Sequence, residues 1–185
     1  MDKSSEDYLR FLKGDDNGIV EIIKDHKDGL ILFLNRYTAN ISEAEELAED
    51  TFFRLVIKKP RYKEKYLFKT WLYTIARNIA VDYLRKKRKV HNLSAEELEM
   101  LRVDEFELES SYLREEQKMI LYKALDGLKN EYAQVLYLRF FEELSNEDCA
   151  GIMGKSKRQI ENMMYQAKKA LRTELEKEGF VYEDL

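Results

Sequence analysis

Apolar side chains along this chain return every three or four residues, the spacing that gathers them on one side of an α-helix. Between Gly18 and Lys27 they are Ile19, Ile22 and Ile23, and from Leu30 to Tyr37 they are Leu30, Phe33, Leu34 and Tyr37, which predicts core-facing helices in both stretches. Ser42 followed by Glu43, Glu45 and Glu46 reads as an N-cap with acids placed against the positive end of a helix dipole. That helix runs from Ala44 to about Lys58 with Ala44, Leu47, Ala48, Phe52, Leu55 and Val56 inward, and Lys58-Lys59-Pro60 ends it. A further helix spans about Thr70 to Lys87, with Leu72, Ile75, Ala76, Ile79 and Tyr83 inward. One Pro and seven Gly in 185 residues are too few turn-formers for an all-β fold of this length, so the fold class is all-α. The length suits one medium domain or two small ones.

Periodicity fails after Lys89 and returns near Ser111, where Leu113, Met119, Ile120, Ala124 and Leu128 resume it up to Lys129-Asn130. The expected organisation is therefore two helical domains, 1–90 and 111–179, joined by an acidic flexible linker at 91–110 and followed by a short tail, 180–185. Asn130 is expected to cap a helix burying Ala133, Leu136, Tyr137 and Phe140.

Charge is sorted into blocks. The total is −4, which argues against a nucleic-acid binder until it is divided along the chain. Residues 69–90 hold seven basic and one acidic side chain, 91–118 three and nine, 119–151 three and six, and 155–172 six and one. Two short basic segments separated by acid can each neutralise phosphates, because local charge density governs counterion release.

Ser145-x-x-Asp148 and Ser156-x-x-Gln159 each have the form of a helix start, eleven residues apart, the second a capping box in form. Ala150 allows a close helix crossing, Gly154 suits the tight turn, and Ile160 packs the second helix on the first, so the spacing is that of a helix-turn-helix. Cys149, Ile152 and Met153 on the first helix and Ile160, Met163, Met164, Ala167 and Leu171 on the second are expected inside. The other face of the second helix carries Lys157, Arg158, Gln159, Glu161, Asn162, Tyr165, Lys168 and Lys169. Asn and Gln pair with adenine edges, Arg with guanine, and Lys with phosphate, which makes this face a candidate reader of duplex DNA. In the connection before the fourth helix, Tyr62, Tyr66 and Phe68 alternate with Lys63, Lys65 and Lys69.

Several classes are excluded or disfavoured on the same grounds. The longest unbroken apolar run, Leu30 to Leu34, is five residues against the ~20 needed to cross a bilayer, and the acidic start is unlike a secretory signal, so a cytoplasmic protein without membrane insertion is expected. The single Cys149, with His26 and His91 remote in sequence, gives no metal or redox centre, and no glycine-rich phosphate loop is present. No catalytic residues, no metal and no cofactor are expected.

These segments together resemble the sigma-70 family, and within it the small two-domain extracytoplasmic-function (ECF) sigma factors. Ala44-Glu45-Glu46-Leu47-Ala48-Glu49-Asp50-Thr51-Phe52-Phe53-Arg54-Leu55 resembles the family's region 2.2, and Phe68 to Asn78 with Asp82-Tyr83-Leu84-Arg85 resembles regions 2.3 and 2.4. Leu125 to Leu171, including Leu136-Tyr137-Leu138-Arg139-Phe140, is similar to region 4. The resemblance implies a non-catalytic initiation factor that binds core RNA polymerase and promoter DNA. It implies contact with the clamp coiled coil of the largest subunit through Glu49, Asp50, Phe52, Phe53 and Leu55, and with the beta-subunit flap through region 4. Phe53 lies beside the inward stripe, so exposure to a partner and a place in the core are both open readings. For the −10 element the resemblance implies melting and capture, with Tyr62, Lys63, Lys65, Tyr66, Phe68 and Lys69 at the strand, Asn78 at the exposed base, and Arg77, Arg85, Lys86 and Arg88 on phosphates. Trp71 and Asp82 are expected to orient the helix. For the −35 element it implies entry of helix 157–169 into the major groove, with Glu161 either accepting from cytosine or pairing with Lys157 or Lys168. The resemblance also leaves room for an anti-sigma factor.

Overall fold

The computed structural model describes residues 2–91, 121 and 123–177, and every described regular element is helical. The expected linker and the helix start near Ser111 lie outside the described residues. Four helices, α1 Lys3–Leu12, α2 Asn17–Thr38, α3 Ile41–Lys58 and α4 Phe68–His91, form an N-terminal bundle. The C-terminal bundle contains α5 Asn130–Leu136, a π-helical turn Tyr137–Phe141, α6 Asn146–Met153 and α7 Lys157–Lys177.

Helix α1 escapes periodicity because two of its four buried residues are polar: Ser5 and Asp7 lie inward beside Tyr8 and Phe11. Asp2 caps it by accepting from the Ser5 N–H at 2.8 Å, and its other oxygen accepts from the Phe68 N–H at 3.1 Å. One carboxylate thus ties the starts of α1 and α4. Burial would raise its pKa, but these hydrogen bonds outweigh that and bring it below the usual Asp value.

The two helices expected between Gly18 and Tyr37 are one continuous 22-residue element. Helix α3 starts earlier than expected because Asn40, not Ser42, supplies the cap, its side chain accepting from the Glu43 N–H at 3.1 Å. Its predicted stripe is inward, with Lys59 at φ 43° and Pro60 closing the end. Helix α4 buries Leu72 and Ala76 as expected, together with Tyr73 and Ala80. Around its start, Tyr8, Tyr62, Phe68 and Trp71 pack with ring centroids 5.2–5.5 Å apart.

In the C-terminal bundle two expectations fail. Asn130 is the first residue of α5 rather than its cap; the cap position belongs to Lys129, whose side chain makes no capping bond. Phe140 is 54% exposed rather than buried. The turn at Tyr137–Phe141 is wider than an α-helical one, with the Glu142 N–H reaching back to the Tyr137 carbonyl at 3.2 Å. That extra residue turns Tyr137 and Leu138 inward and leaves Phe140 and Phe141 facing out. The helix-turn-helix forms as read: Ser145 and Asp148 close a reciprocal capping box, Gly154 takes the left-handed φ of 64°, and Ile160 is fully buried.

The bundles share an interface in which α6 lies on α4 and α5 lies on α2. Their cores are continuous across it.

Candidate nucleic-acid interface

Helix α7 divides cleanly. Ile160, Met164 and Ala167 are buried, Met163 and Leu171 pack against the core from its margin, and Leu175 extends that seam one turn beyond the expected list. Lys157, Arg158, Gln159, Glu161, Asn162, Tyr165, Lys168 and Lys169 are all exposed on the opposite side, with Tyr165 at 68%. The second capping box also forms: the Ser156 N–H donates to Gln159 Oε1 at 2.8 Å and the Gln159 N–H to Ser156 Oγ at 3.3 Å. Gln159 therefore spends its oxygen on the helix end and keeps its amide NH2 for another partner. Glu161 forms no ion pair among the described residues, so the pairing with Lys157 or Lys168 is not made. Lys168 instead lies over the Phe140 ring, 5.3 Å from its centroid.

On the N-terminal bundle, the connection 61–67 exposes Lys63, Lys65, Tyr66 and Leu67. Tyr62 pins it, its hydroxyl lying 3.0 Å from Ser5 Oγ and donating to the Tyr66 carbonyl. Lys65 sits over Tyr66, 5.6 Å from the ring centroid. Phe68 departs from expectation: it is fully buried in the aromatic cluster, so it backs the connection from inside and presents no platform. Beyond it, Asn78, Arg85, Lys86 and Arg88 are exposed along α4. Lys87 faces away from that set and bonds Glu43 at 2.5 Å, fastening α4 to α3. Asp82 pairs with Arg85 at 2.8 Å on the exposed side, and Trp71 belongs to the cluster that seats the helix start.

Lys69 and Arg77 stand apart from their neighbours because both face the C-terminal bundle. Lys69 Nζ is 2.8 Å from Glu142 Oε2, and the Arg77 guanidinium lies against the Gly154 turn. Burial drives the Tyr37 hydroxyl to a high pKa, with Arg77 pulling the other way. A groove of about 530 Å³ runs between the connection 61–67 and the start of α6, with Tyr66 and Lys65 on one wall and Glu147 and Asp148 on the other.

Helix α3 exposes Glu49, Asp50 and Phe53, the last at 64%. Phe52, 6% exposed, and Leu55, fully buried, are core residues and offer no side-chain surface to a partner. Sequence reasoning missed Ile57, exposed four residues after Phe53, where the i, i+4 spacing makes the two neighbours on one edge.

Family comparison places these features. Residues 22–90 match Sigma-70 region 2, and residues 118–171 match Sigma-70 region 4. The chain belongs to the sigma-70 family, in its ECF group. It is a sigma factor that directs promoter-specific transcription initiation by RNA polymerase, binding the core enzyme and promoter DNA. It is similar to the RNA polymerase sigma factor SigV of Bacillus subtilis (strain 168), 29% identical over 160 residues, spanning 86% of this chain and 92% of that one. It is also similar to the ECF RNA polymerase sigma factor SigW of the same organism, 26% identical and spanning 88% and 91%. Among solved structures it shares its fold with RpoE from Bartonella quintana, in complex with the anti-sigma factor NepR (TM-score 0.69, 23% identity, 84% of this chain and 95% of that one). It shares it also with CnrH in complex with the cytosolic domain of CnrY (TM-score 0.65, 16% identity, 95% and 98%). In this sigma factor the region 2 match carries α4 and the connection before it, and the region 4 match carries the helix-turn-helix. Among the described residues no helix is long and apolar enough to cross a membrane, and no group of three or more His, Cys, Asp or Glu side chains is gathered to hold a metal ion.

Proposed function

We propose that this sigma factor reads its promoter at two places with two kinds of chemistry. At the −10 element, Tyr66 and the half-buried Tyr62 receive unstacked bases, Lys63, Lys65 and Lys69 hold the strand, Asn78 meets the exposed base, and Arg77, Arg85, Lys86 and Arg88 hold phosphates. At the −35 element, the outer face of α7 enters the major groove. Arg158, Asn162 and Gln159 meet base edges there, Glu161 is free to accept from cytosine N4, Tyr165 packs against the groove, and Lys157, Lys168 and Lys169 take phosphates.

The observation that carries the reading is the clean division of α7: every predicted DNA-facing side chain is exposed while Ile160, Met164 and Ala167 are buried. Melting is driven by binding energy, stacking of captured bases being worth ~1–3 kcal/mol each. The chain contributes positioning and no catalytic group. It works in the cytoplasm beside the polymerase. Glu49, Asp50 and Phe53 dock on the clamp of the largest subunit, and region 4 on the beta-subunit flap. RpoE from Bartonella quintana was solved in complex with the anti-sigma factor NepR, which supports an anti-sigma partner here too. We divide the chain into domains 1–90 and 111–179, with 91–110 as linker and 180–185 as tail.

Asn78→Ala tests the −10 assignment. The side chain is exposed and unburdened by core packing, so polymerase binding is retained while thymines at −10 lose permanganate reactivity. Unchanged reactivity in the variant would remove Asn78 from the site.

A further inference from the structure

We infer that Gln159 meets promoter DNA as a hydrogen-bond donor only, a reading that rests on the assignment of the outer face of α7 to the −35 element. Its partner is an acceptor, either the exocyclic oxygen of guanine or thymine or a phosphate oxygen, and it does not read adenine. The Ser156 backbone N–H lies 2.8 Å from Gln159 Oε1, and the Gln159 N–H lies 3.3 Å from Ser156 Oγ. A backbone N–H can only donate, so the end of the amide that faces it is the oxygen, and the exposed side chain has its NH2 left to reach outward. The same two bonds satisfy two of the four N–H groups that the first turn of α7 leaves open, which holds the side chain in place.

Adenine presents N7, an acceptor, beside N6, a donor, and an amide reads the pair only with its nitrogen and oxygen turned to the groove together. Gln159 can do so only by giving up the Ser156 N–H, which then stands open at the helix start. Guanine and thymine present O6 and O4 where adenine and cytosine present amino groups, and phosphate oxygens accept without donating. The outward NH2 suits each of these acceptors. Against an amino group it would set donor against donor.

Asn162, exposed three residues further along α7, shows the contrast. Its side chain makes no hydrogen bond among the described residues, so both ends of its amide are available and bidentate pairing with adenine is open to it. The two amides of this face are therefore not equivalent, although residue type alone would give them the same preference.

Gln159→Glu separates the two ends of the amide. A carboxylate keeps an oxygen for the Ser156 N–H, as the acid of a capping box does, but presents an acceptor where the amide presented NH2. Core polymerase loaded with wild type or variant selects from a promoter library randomised across the −35 segment, and affinity for the pool is measured at one salt concentration. If the acceptor is a base, wild type favours guanine or thymine over adenine and cytosine at one position, and Gln159→Glu shifts that preference toward cytosine or adenine by about tenfold. If it is a phosphate, the variant keeps every base preference and binds all sequences about tenfold more weakly. Adenine chosen over guanine at a position whose preference Gln159→Glu abolishes, or a variant unchanged in both preference and affinity, overturns the inference. Amide exchange followed by NMR on the full free chain reads the geometry without DNA. The Ser156 N–H is expected to be protected in wild type and Gln159→Glu and to exchange about tenfold faster in Gln159→Leu; equal rates in all three overturn the inference as well. A wild-type holoenzyme indifferent to every base of the −35 segment refutes the assignment of α7 instead, and exchange at Ser156 still decides whether the oxygen is committed.

Discussion

His26 is the side chain whose protonation this fold penalises most directly. It is 7% exposed, with Nε2 2.9 Å from Ser4 Oγ and its ring 6.0 Å from that of Phe68. Burial and then the nearby Lys69 lower its pKa below 6.5, and Asp25, Glu142 and Asp2 only partly offset them. The folded chain holds it neutral, while the unfolded chain takes up a proton as pH falls below about 6.5. The stability tied to His26 is thus complete above that value and is lost as pH drops toward the folded pKa. Thermal melts followed by circular dichroism are expected to show wild type losing more of its Tm between pH 7.5 and 5.5 than His26→Gln does; parallel losses would contradict this. Cys149 behaves in the opposite way. Burial, aided by Asp148, pushes its thiol up to about 11, which leaves it protonated and unreactive as a core residue.

At the scale of elements, α3 shows what a sequence pattern resolves and what it leaves open. Its stripe is legible because Ala44, Leu47, Ala48, Phe52 and Leu55 obey helical spacing and all prove buried. Phe53 sits one residue off the stripe, and only the packing of α2 and α4 against α3 decides that it faces out. Phe53→Ser is expected to change stability by no more than about 0.5 kcal/mol, as at other exposed positions. It is expected to weaken core polymerase binding by about tenfold or more, because an exposed aromatic is a common anchor of an interface. A melt together with a polymerase titration checks both; a large fall in Tm with unaltered binding would make it a structural residue. The helix-turn-helix was legible almost completely, since its caps, its glycine and its apolar positions are local signals. The π-helical turn was not. A single widened turn shifts the register of Phe140 without leaving any mark in composition or spacing.

Across the whole molecule, the two basic segments are legible as charge blocks, but not that an acidic segment lies on one of them. Lys69, Thr70, Arg77, Glu142 and Asp148 each look like ordinary surface residues when read singly, and their pairing spans more than seventy positions of sequence. Helix α1 was equally hidden, because its inward face mixes Ser5 and Asp7 with Tyr8 and Phe11. What was legible is an aromatic-basic connection leading into α4 and a basic, exposed face on α7, the two places between which we propose that promoter reading is divided. The most direct measurement of that division is a combined nuclease and permanganate footprint of core polymerase loaded with this chain on a promoter found by run-off transcription. The account predicts two protected segments, at −35 and −10, with oxidised thymines in the second alone. Protection of one duplex segment with no reactive thymine would contradict it.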